Sequence, residues 1–178
     1  MGGTGKTFDK NGQTFEVRFF DANSFFDLRD LREIVQSPGV QQWMASVRNM
    51  SHKHYGKWMS EQGQENNFLF AIAGTDSDRP EIQRVHGFVY IYPSELRRNA
   101  LEVSYAKRPG APGGLISPAL KEACKTVKEK MGIVVTIVAE IERGNDASIS
   151  AIEKAGFVKT RDFDRYGNAI WTLDWEKV

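Results

Sequence analysis

The chain has 178 residues, 24 Lys and Arg against 23 Asp and Glu for a formal net charge of +1, 40% hydrophobic residues and one cysteine. That length carries one sizeable core and not two comfortable domains, and the near-balanced charge argues against a dedicated nucleic-acid or membrane-surface binder. No apolar run approaches the roughly 18 residues a membrane span needs, the N-terminal MGGTGKTFDKNGQ is too polar for a secretory signal, and Cys124 by itself makes neither an internal disulfide nor a zinc cluster.

In chain order, residues 1–12 hold four glycines among polar residues and read as a flexible tail, with a single domain over residues 13–178. TFEVRFF (14–20) reads as a strand. A helix is expected from Asp21 to about Val35, with Phe25, Leu28, Leu31 and Val35 at spacings of three and four. Ser37-Pro38-Gly39 breaks it, and a second short helix is expected from about His52 to Glu61. NFLFAIAG (67–74) and VHGFVYIY (85–92) read as a pair of strands, and ALEVSYA (100–106) as a two-faced strand. RPGAPGG (108–114) then leads into a helix carrying Ile116, Leu120, Cys124, Val127 and Met131, closed by Gly132. IVVTIVAEI (133–141) has the length and continuous apolar character of a central strand. NDASISAIEKAGF (145–157) is a compact helix with Asn145 or Asp146 at its start and Gly156 as its stop. FVKTRDF and AIWTLDW form a last hairpin.

Chemistry has several candidate places. GGTGKT (2–7) imitates the end of a phosphate-binding Walker loop, but it lacks the glycine five residues before Gly5 and any preceding strand. RPGAPGG lies between a strand and a helix start, where backbone N–H groups and the helix dipole favour a diphosphate. Pro109 and Pro112 remove two donors, and an ordinary turn explains the same residues. His52 and His54, two apart on a helical segment, point to different faces and have no third ligand nearby, so no metal is expected. They line an acceptor cleft with Trp43, Tyr55 and Trp58, or are simply solvated. Cys124 sits on the buried face of its helix and reads as packing.

From Ile137 to Phe157 a strand ending in AEIE is followed by R-G-N and a short helix ending in KAGF. EIERGNDASISAIEKAGF resembles the N-x-x-(A/S)…-E-K-x-G-F segment of the GNAT superfamily of acetyl-CoA-dependent N-acetyltransferases. The serine three after the asparagine is similar to the branch containing the ribosomal-protein N-terminal alanine acetyltransferases. LEVSYAKRPGAPGGL resembles that superfamily's cofactor-binding strand and loop, and QQWM and KWMSE resemble its early helices. The order of elements over residues 14–175 is similar too. The loop departs from the pattern (Q/R)-x-x-G-x-(G/A): with Arg108 first, Ala111 replaces the first glycine and Gly113 fills the last position, and another register starts the glycines at Gly113.

The resemblance implies an α/β (α+β) fold with a mixed, mostly antiparallel seven-stranded sheet and about four helices. It implies acetyl transfer from acetyl-CoA, without a metal, to a primary amine of a peptide N-terminus or a small molecule. Neither nucleic acid nor membrane is an expected partner, the chain is expected to be a cytoplasmic monomer or homodimer, and the alternative is a non-catalytic acyl-CoA-binding or protein-interaction module. The sheet would splay beside the cofactor, with Tyr105, Ala106 and Lys107 along the pantetheine arm and Asn145 bonding to it. Arg108, Gly110, Ala111, Gly113 and Gly114 would hold the pyrophosphate. The amine must lose a proton and the leaving thiolate must gain one. Glu140 and then Glu102 are the candidate bases, or solvated strand-end carboxylates, with water-relayed deprotonation also open. The tyrosine that serves as acid in many relatives is Ile152 here, and Ser148 matches a serine assigned that role, or bonds locally in its helix.

Overall fold

The computed structural model describes residues 5–44, 66–75, 82–95 and 97–178. One sheet of eight strands runs through them in the order β1-β2-β3-β4-β5-β6-β8-β7. The strands are β1 (Lys6–Lys10), β2 (Gln13–Phe19), β3 (Phe68–Thr75), β4 (Gln83–Pro93), β5 (Ala100–Lys107), β6 (Thr136–Glu142), β7 (Phe157–Arg161) and β8 (Asn168–Leu173). Every pairing is antiparallel except β5 with β6. The described helices are α1 (Phe25–Val35), α2 (Pro38–Trp43), α3 (Ile116–Met131) and α4 (Asp146–Lys154), with a short 3-10 turn at Trp175–Lys177.

The eighth strand comes from the segment expected to be a tail. Lys6–Lys10 pairs residue for residue with Gln13–Val17, because Asn11 and Gly12, both at positive φ, make a two-residue hairpin turn. Phe8 stacks on Phe15, whose side chain is fully buried, so the added strand also covers core. Helix α1 starts at Phe25 and not at Asp21. The Ser24 side chain accepts from the Asp27 amide as an N-cap, and Asp21 accepts from the Asn23 amide in the turn before it. Pro38 does not merely break α1; it occupies the first turn of α2, where its missing N–H costs nothing. Strand β6 starts at Thr136, and Ile133 and Val134 are 60% and 66% exposed in the connection after Gly132, so the apolar run is longer than the strand. The expected helix over His52–Glu61 lies outside the described residues, as do His52, His54, Tyr55 and Trp58.

Two cores flank the sheet. The larger joins Phe15, Phe70, Ile72, Val103, Ile137, Ala139 and Trp171 to α3 and α4. The smaller joins Leu69, Ala71, Phe88 and Tyr90 to Leu31, Ile34 and Val35 of α1 and to Val40 of α2. Cys124 is fully buried in the larger core and its thiol is pushed up to about 12 by that burial, which suits packing and not reactivity. No described helix is long and apolar enough to cross a membrane.

Candidate functional site

The sheet opens where its parallel pair, β5 and β6, comes apart. Strand β5 pairs with β6 through Ala100–Thr136, Leu101–Ile137 and Glu102–Val138, and no further. Beyond Glu102, β5 continues to Lys107 beside β4, while β6 continues to Glu142 beside β8. The wedge between them is a cleft of about 440 Å³. Its walls bring together Glu102, Tyr105, Ala106 and Lys107 of β5, Glu140 of β6, and Asn145 and Ser148 at the start of α4, with Trp43 of α2 at one side.

The carboxylates of Glu102 and Glu140 have opposite settings, and Glu142 of β6 also lines the cleft. Glu102 lies half-buried, accepting from the Tyr92 hydroxyl at 2.9 Å and the Ser94 hydroxyl at 3.3 Å. Burial pushes its carboxyl above the ordinary value, those hydrogen bonds oppose the rise, and the charge of Glu140 adds to it. Tyr92 also stacks on Tyr90, which donates to Asn67. Glu140 is exposed in the cleft, and its carboxylate makes no hydrogen bond among the described residues. Because Val138 lies in register with Glu102 and side chains alternate along a strand, Glu102 and Glu140 share one face of the sheet.

Across the wedge, the Tyr105 hydroxyl donates to the Ser148 carbonyl at 3.0 Å, tying β5 to α4. The Asn145 side chain accepts from the Ser148 amide at 3.3 Å and caps α4. The Ser148 backbone is therefore held at both ends, while its hydroxyl makes no hydrogen bond among the described residues.

The remaining candidates do not line the cleft; they form the loop that continues from Lys107. The Arg108 guanidinium turns to α1, meeting Glu33 at 2.7 Å and fully buried Asp30 at 3.1 Å. Burial opposes the charge on Asp30, yet Arg29, the Val85 amide and Arg108 together hold it below its ordinary value. Ala111 is buried, donates its amide to the Arg108 carbonyl, and accepts from the Lys107 ammonium at 2.7 Å. Gly110 and Gly114 have φ of 82° and 73°, a region that favours glycine. A Cβ on Gly113 would meet nothing within 4 Å, and the Gly113 and Gly114 amides make no hydrogen bond among the described residues.

One residue that the sequence reading passed over stands beside them. Ser117, in the first turn of α3, is 8% exposed and its hydroxyl has no partner among the described residues. Leu115 precedes that helix and offers no side-chain cap. A serine just inside a helix after a glycine-rich turn was the available signal. A buried, unpartnered hydroxyl beside free amides at an uncapped helix start is what an anion would satisfy.

The acetyltransferase (GNAT) domain family matches residues 18–158. The chain belongs to the GNAT acetyltransferase family. No curated protein matches the sequence, but solved structures share the fold. A GNAT-family acetyltransferase from Bacillus anthracis aligns over 99% of both chains at 14% identity with a TM-score of 0.69. Aminoglycoside acetyltransferase AAC(6')-Ib, in complex with coenzyme A and kanamycin, aligns over 89% of this chain and 92% of its own at 16% identity, with a TM-score of 0.66. The same protein is also solved with coenzyme A alone. The splayed β5–β6 pair is thus set in a GNAT fold with eight strands where seven were expected.

Proposed function

We propose that this acetyltransferase moves an acetyl group from acetyl-CoA to a primary amine, by direct attack while both are bound. The observation that carries the reading is the cleft at the β5–β6 divergence. Its walls hold the carboxylates of Glu102, Glu140 and Glu142, a free serine hydroxyl and a capped helix start. Acetyl-CoA supplies the activated acyl group, and AAC(6')-Ib binds it in a related fold. The chain's own residues fit such a ligand. The Ser117 hydroxyl and the Gly113 and Gly114 amides are donors without acceptors at the start of α3, suited to a pyrophosphate. Tyr105, Ala106, Lys107 and Asn145 line the slot toward the acyl end.

The amine reaches the cleft mostly protonated at neutral pH. Glu140 has both oxygens open and takes that proton, directly or through a water. Glu102 is held by Tyr92 and Ser94 on the same sheet face and is the second choice. Ser148, with its backbone fixed and its hydroxyl free among the described residues, is the group we assign to protonate the departing sulfur. Ile152 is fully buried in the larger core and supplies no acid. The acceptor is a small-molecule amine or a peptide N-terminus. Kanamycin bound to AAC(6')-Ib supports an amine in general and does not choose between the two.

The test is thiol release from acetyl-CoA, with and without a mixed amine library, beside melting curves with CoA. Release that depends on the amine, together with a raised melting temperature, is expected, since a ligand selective for the native state must stabilise it. Binding without amine-dependent release makes the protein an acyl-CoA-binding module. No binding of CoA overturns the reading altogether.

A further inference from the structure

We propose that Lys10, on the N-terminal strand β1, is a ligand of the cofactor's pyrophosphate. The inference rests on the acetyl-CoA reading above and extends the binding site to a strand outside the matched family segment, which starts at residue 18.

Strand β1 is the outer strand of the hairpin with β2, and it runs alongside α3. Lys6, at one end of β1, pairs with Glu129 at 3.0 Å and Glu122 at 3.8 Å on that helix. Lys10, at the other end, reaches the loop before the helix. A Cβ placed on Gly114 would lie 3.1 Å from the Lys10 nitrogen and 3.3 Å from its Cε. The hairpin turn at Asn11 and Gly12 directly follows Lys10, so pairing with β2 fixes where the side chain leaves the strand.

The cations around this loop are not equivalent. Arg108 is matched by Asp30 and Glu33. The Lys107 ammonium is bound to the Ala111 carbonyl and holds the loop's own shape. The Lys10 ammonium makes no hydrogen bond or ion pair among the described residues, although the residue is only partly exposed. Its ammonium therefore rests against a glycine, next to two free amides and a helix start without a cap. Ser117, in the first turn of the same helix, adds a buried hydroxyl without a partner among the described residues. A doubly charged diphosphate meets all of these groups together: amides and a hydroxyl give directed hydrogen bonds, and a lysine supplies the compensating charge. A neutral ligand would leave the ammonium unanswered.

The experiment is calorimetric titration of the full chain with CoA and with dephospho-CoA, which lacks the 3′-phosphate but keeps the pyrophosphate, at low and high salt. Lys10→Gln should weaken CoA roughly five- to twentyfold at low salt, as expected for a partly exposed charge-assisted contact. The same factor should appear with dephospho-CoA, and the gap should narrow as salt rises. Lys10→Arg keeps the charge and should stay within about threefold of wild type. Equal CoA affinity in Lys10→Gln overturns the assignment, as does an equal loss in Lys10→Arg. A loss confined to CoA, absent with dephospho-CoA, also overturns it, because the 3′-phosphate would then be the partner. Wild-type protein that binds no CoA overturns the acetyl-transfer reading itself, an outcome distinct from the other three.

Discussion

At the end of β6, Asn145 closes the first turn of α4 with its own side chain, whereas at the end of β5 the first turn of α3 follows Leu115, which has nothing to offer. Both junctions run strand, turn, helix, and both flank the wedge where the sheet parts. The first is complete in itself: Asn145 holds the Ser148 amide and Tyr105 holds the Ser148 carbonyl. The second leaves a buried hydroxyl and two glycine amides without partners. The buried Ser117 hydroxyl is costly to leave unmet, and Gly113 and Gly114 are exposed and open to a ligand, so we read the open junction as completed from outside and the closed one as holding side chains still. In this reading the α3 junction binds and the α4 junction positions.

If that division is right, the largest effects come from the cleft between the junctions. General-base help is typically worth about 10²–10⁴-fold. Glu140→Gln keeps size and hydrogen bonding but loses basicity, so kcat should fall by a factor in that range while CoA affinity stays the same. The loss should shrink as pH rises, because more amine then arrives deprotonated. Steady-state kinetics from neutral to alkaline pH, with calorimetry for CoA, reads both quantities. An unchanged kcat clears Glu140, and Glu102→Gln takes the same test. If both variants and the double variant stay active, water-relayed deprotonation is the better account.

The next effect falls on the open junction alone. Gly113 has no conformational need to be glycine, and a side chain there would meet no protein atom within 4 Å. Gly113→Val should fold with little change in melting temperature and yet weaken CoA by about ten- to a hundredfold, the scale of one or two lost charge-assisted hydrogen bonds. Equal affinity in the folded variant would mean that the phosphates do not approach this backbone. Gly114 is the poorer probe: at φ 73° with Lys10 against it, a valine would strain the loop and confuse folding with binding.

Much of this was legible in the residues. TFEVRFF, NFLFAIAG, VHGFVYIY and the two-faced ALEVSYA marked β2 to β5, and the Asn145 and Gly156 signals bounded α4 within a residue or two. The E-K-x-G-F ending pointed to the family that the domain match bears out. Strand β1 was not legible because KTFDK has weak apolar alternation, and its stability comes from pairing with β2 and from the Phe8–Phe15 stack, which are long-range gains that no local pattern shows. Arg108 looked like a phosphate ligand by its place in the loop, but Asp30 and Glu33, some seventy-five residues away in sequence, claim its charge. Ser117 escaped notice because an unpartnered hydroxyl is a property of packing: the sequence shows the serine and not its isolation.

The smallest predicted effect compares the two junctions directly, by removing one polar group from each. Asn145→Ala takes away a formed cap and should cost about 1 kcal/mol of stability, as N-cap truncations typically do. Ser117→Ala takes away a hydroxyl that makes no bond in the free protein, so its removal relieves a desolvation cost and should leave stability unchanged or slightly raised. With CoA the order reverses for the open junction. Ser117→Ala should gain a smaller increase in melting temperature from saturating CoA than wild type does, because the ligand can no longer complete that turn. Asn145→Ala lowers the curve without ligand, and it also loses a side chain that lines the cleft. Thermal melts of the three proteins, with and without CoA, separate the cases. If Ser117→Ala melts well below wild type in the absence of ligand, the hydroxyl was already satisfied and the two junctions are not different in kind.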